Sequence, residues 1–271
     1  VTTALPAIDF TPPLVAPASP YGLAAATAWA ESLSDEALRW LPAGVQFRLR
    51  THRPTSAFGI WGAPWCADPD DLDPQDDLKT GAAVEDDDPD PFEPMTAWAF
   101  DRLQECGNLS DFDRREVRER AEQTFEVSEP VAIETEFATR ALADAPSPTA
   151  VDALVAAVGH LEETFAATGT FGLIHARVGL LALAANQRLV IRDPAAPGAL
   201  LTPGGHRWVF GGGYATPLGD ILIGTSPTFG WRGPVEVREA IQYELNQFVA
   251  IAERSVVVGY EVAIGAAEIT P

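Results

Sequence analysis

The side chains able to do chemistry are few in this 271-residue chain, and their spacing argues against the usual catalytic machinery. The histidines are His52, His160, His175 and His206. None stands in a His-Glu-x-x-His helix, the spacing that sets two imidazoles on one face around zinc. His160 falls near the apolar stripe of a predicted helix and reads as a packed residue. Cys66 and Cys106 are the only cysteines, too few for a disulfide framework or a four-thiolate metal site, and no activating base is indicated for Cys66. The glycine-rich stretch FGGGY (Phe210–Tyr214) is followed neither by the Lys-Ser/Thr of a phosphate loop nor by the helix of a dinucleotide fingerprint. Its glycines are expected to supply positive φ in a turn between strands. GTSPTFG (Gly224–Gly230) lacks the spacing of a nucleophile elbow. No catalytic, cofactor-binding or metal-ligating residue is assigned, and no cofactor is implied.

Carboxylates are abundant instead. There are 39 Asp and Glu against 18 Lys and Arg, a net charge of −21, and Lys79 is the only lysine. Twelve of the acids lie between Cys66 and Pro94 among prolines. Like-charge repulsion and proline both oppose a packed core there, so the segment reads as a solvated loop. A calcium loop begun at Asp76 puts Gly81 at position six. It then places Leu78 and Val84 where side-chain oxygens are needed and Asp87 where a bidentate Glu belongs, so no EF-hand is read. The acidity excludes a sequence-reading nucleic-acid protein, which needs clustered Lys and Arg, and disfavours an anionic membrane surface. No apolar run approaches ~18 residues, and no basic residue precedes Arg39, so neither a membrane span nor a secretory signal is read.

One ion pair stands out for its setting. From Gln242 to Ile264 the chain alternates apolar and smaller or polar residues, the two-residue period of a strand with one buried side. Ordinary strands span ~5–6 residues. This ribbon is much longer, and it carries Glu253 and Arg254 in its middle.

The elements that must position these groups are mixed. Residues 1–20 read as a proline-stiffened extended arm. An alanine-rich helix is expected from about Gly22 to Pro42, and Val45, Phe47 and Leu49 alternate as in a strand. Met95–Cys106 reads as a strand leading out of the acidic loop. Ser110 is the expected N-cap of a long amphipathic helix with Phe112, Val117, Ala121 and Phe125 on its stripe; Pro130 is expected to kink or split it. A second helix carries Val151, Leu154, Val155, Val158, Leu161 and Phe165, starts at Ser147 or Thr149 and stops at Gly169. A third covers Ala176–Val190, and short strands follow Asp193. Helices and strands are segregated, which gives an α+β chain rather than a doubly wound sheet.

The order of features in the second half resembles a known family. GLIHARVGLLALAANQRLVIRD is followed by LLTPGGHRWVFGGGYATPLGDILIGTSP, and then by a long strand with Asn246, Ile251, Ala252, Glu253 and Arg254 ahead of an apolar run. This resembles the major capsid proteins of tailed bacteriophages of the Hong Kong 97 type. The resemblance implies an α+β capsid fold: an N-terminal arm and short helix at 1–42, an extended-loop region at 43–109 with the acidic segment 67–94, a spine helix and the start of a peripheral domain at 110–145, an apical domain at 146–240, and a long peripheral-domain strand at 241–271. It implies a virion shell protein, not an enzyme, assembled in the host cytoplasm. Its partners would be copies of itself in hexamers and pentamers, a decoration or scaffolding protein, a portal, and packaged DNA without sequence-specific contacts. Glu253 and Arg254 become inter-subunit contact candidates. Some relatives weld their shells through a Lys–Asn bond; Lys79, in acidic surroundings that raise a lysine pKa, is not expected to do so. Two alternatives stand beside this: an encapsulin-type nanocompartment shell, and a soluble α+β enzyme without a recognisable site motif.

Overall fold

The computed structural model describes residues 19–30, 45–49, 60, 66, 68, 70, 90–104 and 110–270. The calcium-like pattern at 76–87, Lys79, His52, Cys106 and the arm before Ser19 lie outside the described residues. In chain order the elements are α1 (Leu23–Ala26), β1 (Ala28–Trp29), β2 (Met95–Gln104), α2 (Asp111–Asp144), β3 (Thr149–Val151) and α3 (Leu154–Thr168). Then come β4 (Leu173–Arg177), α4 (Leu181–Asn186), β5 (Ile191–Arg192), β6 (Leu200–Leu201), β7 (Arg207–Gly211), α5 (Ala215–Leu218) and β8 (Ile221–Thr225). The chain closes with β9 (Thr228–Arg232), β10 (Glu236–Gln242), β11 (Gln247–Tyr260) and β12 (Ala263–Ile269).

Among the described residues the strands form two sheets. One is built on β11, which pairs antiparallel with β2 along one edge and with β10 and then β9 along the other; β1 adds parallel to β9. The other has the order β3-β12-β8-β4-β7-β6-β5. The terminal ribbon therefore divides. It leaves the first sheet after Tyr260 and rejoins the second at Ala263, so the expected single strand to Ile264 is two strands. Ser226 makes the corner: its hydroxyl accepts from the amides of Glu261 (2.9 Å) and Val262 (3.2 Å), groups that no ladder satisfies. The expected boundary at 240–241 falls within β10.

Helix α2 joins the sheets. Ser110 caps it through a reciprocal box with Asp113: the Asp113 amide donates to the Ser110 hydroxyl (3.3 Å), and the Ser110 amide donates to the Asp113 carboxylate (3.0 Å). Val117, Ala121, Phe125, Glu129, Ile133, Phe137 and Ala141 are all buried at steps of four. Each step of four overshoots a full turn by about 40°, so the buried stripe winds around the helix. Its first half packs on Phe248, Ala250 and Ala252 of β11, and its second half enters a core with Val209, Ile223, Trp231, Val257 and Ala266 from both sheets. The helix runs through Pro130 without ending, so of the expected kink or split the split does not occur. Packing on both sides of the proline outweighs the one backbone bond that it removes.

Helix α3 covers the opposite face of the seven-stranded sheet, with Leu154, Ala157, Val158, Leu161 and Phe165 against Ile174, Trp208, Phe210, Leu222 and Ala267. Gly169 ends it in the left-handed conformation (φ 64°), as expected. Its start lies later than expected, because Thr149–Val151 pairs with β12 instead of opening the helix, and Val155 faces out. The alanine-rich helix after Gly22 is also shorter: only Leu23–Ala26 is helical before β1, and 31–44 lies outside the described residues.

Candidate functional site

The two residues singled out in the ribbon lie on opposite faces of β11, and each has a partner in its own chain. Arg254 shares the α2-facing side with Phe248, Ala250 and Ala252. Its guanidinium donates through two nitrogens to the Glu129 carboxylate and lies 5.6 Å from the Phe125 ring centroid. Glu129 and Arg254 are 6% and 16% exposed at the side chain, so water screens the pair little. Glu253 points to the other face and meets Arg238 of β10 at 3.1 Å. Sequence reasoning missed both partners. A signal for Glu129 existed: it is the carboxylate at the next step of four after Val117, Ala121 and Phe125, a charge inside an apolar stripe. Nothing in the sequence alone pointed to Arg238.

Around this pair the first sheet is laced to α2 by further charges. Arg120 donates to Asp101 of β2 (2.7 Å) and to Glu116 one helical turn back (2.7 Å), and Arg118 meets Glu239 of β10 at 3.2 Å. The hydrogen bond that it donates to Asp101 holds the Arg120 guanidinium above its ordinary pKa. On the face away from α2, Trp98 and Phe100 of β2 stand exposed opposite Glu253 and Ile251. At the end of the sheet Ile241, Tyr243 and Leu245 are also exposed. Large apolar side chains clustered at the surface mark contact surfaces.

The base of the expected extended loop is a socket of described residues. Phe47 and Phe92 form a two-way backbone bridge (2.9 and 3.0 Å), and a Cβ added at Gly259 would fall 2.5 Å from the Phe92 ring and 2.7 Å from the Phe47 ring. Arg140 lies over Phe92 (4.7 Å), donates to the Asp90 carbonyl (2.8 Å) and pairs with Asp144, which accepts from the Tyr260 hydroxyl (2.7 Å). Burial, reinforced by Asp144, pushes the Tyr260 phenol far above its ordinary pKa. Beside this socket lies an open groove of about 490 Å3 with Trp29, Phe47, Phe229 and Trp231 on its walls and Arg48 and Glu261 among its lining residues.

The glycine turn acts by closeness, not by positive φ. None of Gly211, Gly212 and Gly213 has a positive φ, which corrects the expected reason for them. A Cβ at Gly213 would meet the Val131 carbonyl and lie 2.7 Å from the Glu134 Cβ; one at Gly211 would lie 2.9 Å from Glu134 Oε2. The glycines thus let the backbone close on α2, where the Gly213 amide donates to Glu134 (3.0 Å) and its carbonyl accepts from the Thr135 hydroxyl (3.1 Å). Burial raises the Glu134 pKa, and the amides of Gly213, Leu23 and Gly212 oppose that rise.

Two of the described histidines, His175 and His206, have their side chains in hydrogen-bonded or stacked settings. His160, expected to be packed, is only half-buried, and His175 and His206 are the buried ones. Thr225 donates its one hydroxyl proton to the Ser226 carbonyl (2.9 Å), so it accepts from His175 Nε2 (2.8 Å). His175 Nδ1 then accepts from Tyr214 (3.0 Å). This is a neutral imidazole, and burial lowers its pKa to about 3. His206 stacks on Phe165 with centroids 4.1 Å apart. Among the described residues no group of three or more His, Cys, Asp or Glu converges, and no helix is long and apolar enough to cross a membrane.

No family model and no curated protein matches the chain. Solved structures match its shape. The capsid of an empty GTA particle is 12% identical, with 99% of this chain and 96% of that one covered at a TM-score of 0.57. The chain has the Hong Kong 97-type capsid fold. That agrees with the α+β architecture expected from the order of features, and at 12% identity the match speaks for the fold alone. Two other similar structures are from Mycobacterium phage Adephagia (14% identity, 78% and 81% covered, TM-score 0.47) and the SrpI encapsulin complex of Synechococcus elongatus PCC 7942 (12%, 68% and 75%, 0.47). Both scores fall below 0.5. Within a Hong Kong 97-type fold the α2–β11 layer is the framework from which the exposed aromatic face, the loop socket and the glycine turn are presented.

Proposed function

We propose that this chain is a bacteriophage-type major capsid protein whose copies close into an icosahedral head around double-stranded DNA. The observation that carries this reading is the match to a capsid subunit over 99% of the chain. We read the seven-stranded sheet with α3 as the apical domain and the β11 sheet with α2 as the peripheral domain. In this reading residues 1–42 are the arm and short helix and residues 43–109 the extended-loop region, with the Phe47–Phe92 bridge among its described residues. Physical features agree with it. Trp98, Phe100, Ile241, Tyr243 and Leu245 form surfaces that a lone chain leaves wet and a neighbouring copy could dry. The net charge of −21 suits a container whose wall does not hold packaged phosphate.

In this reading the partners are copies of the chain in hexamers and pentamers, with a portal and a decoration or scaffolding protein at defined positions, and DNA contacted without regard to sequence. The protein is not an enzyme, and it resides in the virion after assembly in the host cytoplasm. Glu253 and Arg254 act from within: they hold β10 and α2 on β11, and so set the surface that a neighbour meets. Light scattering on the purified full chain tests the proposal. Particles of many tens of subunits support it; a monomer or small oligomer across protein and salt concentrations contradicts it. Particles that enclose protein cargo in place of DNA would instead make the chain a nanocompartment shell.

A further inference from the structure

Residues 19–30 cross from one sheet to the other. At one end the Phe210 amide of β7 donates to the Tyr21 carbonyl (2.8 Å), and the Arg207 guanidinium donates to the Ala25 carbonyl (2.7 Å). At the other end β1 lies parallel to β9, the Ala30 amide donates to the Gly230 carbonyl (2.8 Å), and the Thr27 and Thr228 hydroxyls meet at 3.1 Å. β7 belongs to the seven-stranded sheet and β9 to the β11 sheet. Between the ends, the helix α1 has no side-chain cap of its own. Its first amide, Leu23, donates to Glu134 Oε1 (3.1 Å), while Glu134 Oε2 accepts from Gly213 (3.0 Å). A Cβ at Gly22 would lie 2.7 Å from that carboxylate, so glycine is what lets the segment approach it.

We propose that residues 19–30 are a strap across the two sheets and that Glu134 is its clasp. Leu23 is the strap's one fully buried large side chain, Tyr21 and Trp29 pack partly buried against the two cores, and most of the rest is alanine, glycine and threonine. Beside that packing, its hold at α1 is polar, through the Leu23 amide on Glu134. Glu134 is the group whose loss leaves two buried amides without acceptors at once, one on the strap and one on the glycine turn. The sheets remain joined through the α2 core when the strap is released, because beyond Leu23, Ala26 and Trp29 of the strap that core draws on Ile133, Phe137, Val209, Ile223, Trp231 and Val257. The clasp fixes the point from which the chain before Ser19 departs. None of this depends on the assembly reading.

Hydrogen exchange with mass spectrometry on the purified full chain tests it. In Glu134→Ala, peptides covering 19–30 and 210–214 are expected to exchange at least tenfold faster than in the parent, with α3 peptides unchanged. Glu134→Gln, which keeps one carbonyl acceptor but turns an amide toward the second donor, should fall between. Leu23→Ala, which removes the apolar anchor and keeps the clasp, should open the strap less than Glu134→Ala. Unchanged protection at 19–30 without Glu134 would overturn the proposal. So would an equal acceleration in α3, which would make Glu134 a determinant of global stability, or a larger effect from Leu23→Ala than from either Glu134 variant.

Discussion

Replacing Arg254 by methionine should destabilise the fold by about 3–5 kcal/mol, the cost of stranding a buried charge by removing its partner. The residue left behind is Glu129, whose side chain is 6% exposed and sits beside Phe125 in an apolar helix stripe. Against a typical total of ~5–15 kcal/mol this is a large fraction. Glu129→Met alone should cost a similar amount, since it leaves a guanidinium that is 16% exposed. The double variant should recover most of both losses, and by about 1–4 kcal/mol it could exceed the parent, because two methionines refill the space without desolvated charge. Urea unfolding of the four proteins, followed by fluorescence under dissociating conditions, gives the coupling directly. Single costs below about 1 kcal/mol that simply add in the double variant would refute the reasoning. They would place the pair in effective solvent, or give Arg254 its energetic partner on another molecule. Raising the salt should barely change the coupling. The Arg118–Glu239 pair, at 43% and 44% exposure, should contribute at most about 1 kcal/mol and lose it in salt.

Acid should weaken the fold through His175. Its folded pKa of about 3 lies below the ordinary 6.5, so the unfolded chain binds the proton first; the contribution is intact above about 6.5 and lost as pH falls toward 3. By pH 5 the loss is roughly 2 kcal/mol, and His175→Gln should flatten this part of the pH dependence of the urea midpoint. Gly213→Ala should cost about 1–3 kcal/mol, since its methyl would press into α2. Gly159→Ala, helical and with nothing within 4 Å, should stabilise by about 0.5–1 kcal/mol; thermal melts of both compare them. Gly259→Ala should loosen the Phe47–Phe92 socket, and protease should cut between Leu49 and Asp90 faster than in the parent.

What was legible in the sequence was what depends on local periodicity. The Ser110 cap, the α3 stripe and the Gly169 stop follow from neighbours close in sequence, whereas β11, expected to bury one face, is buried on both over most of its length. The misses arise where a second neighbour intervenes. Pro130 reads as a kink or a split, and the split is averted because both halves of α2 are packed. The ribbon reads as one strand because its apolar alternation continues across the corner that Ser226 makes. Gly211–Gly213 read as a positive-φ turn, whereas their use is the approach of α2, which no local pattern announces. Arg254 was visible as an anomaly, but its partner lies on another element, and only the four-residue ladder ending at Glu129 hinted at it. Glu134 escaped entirely, since one glutamate among many acids on a long helix looks solvated until two distant amides converge on it.

The assembly claim is tested most directly by electron microscopy of the purified full-length chain. The account predicts closed icosahedral shells whose subunit density places α2 and β11 as described and dries Trp98 and Phe100 against a neighbouring copy. A homogeneous field of separate small molecules, with those aromatics in water at every concentration, would contradict it.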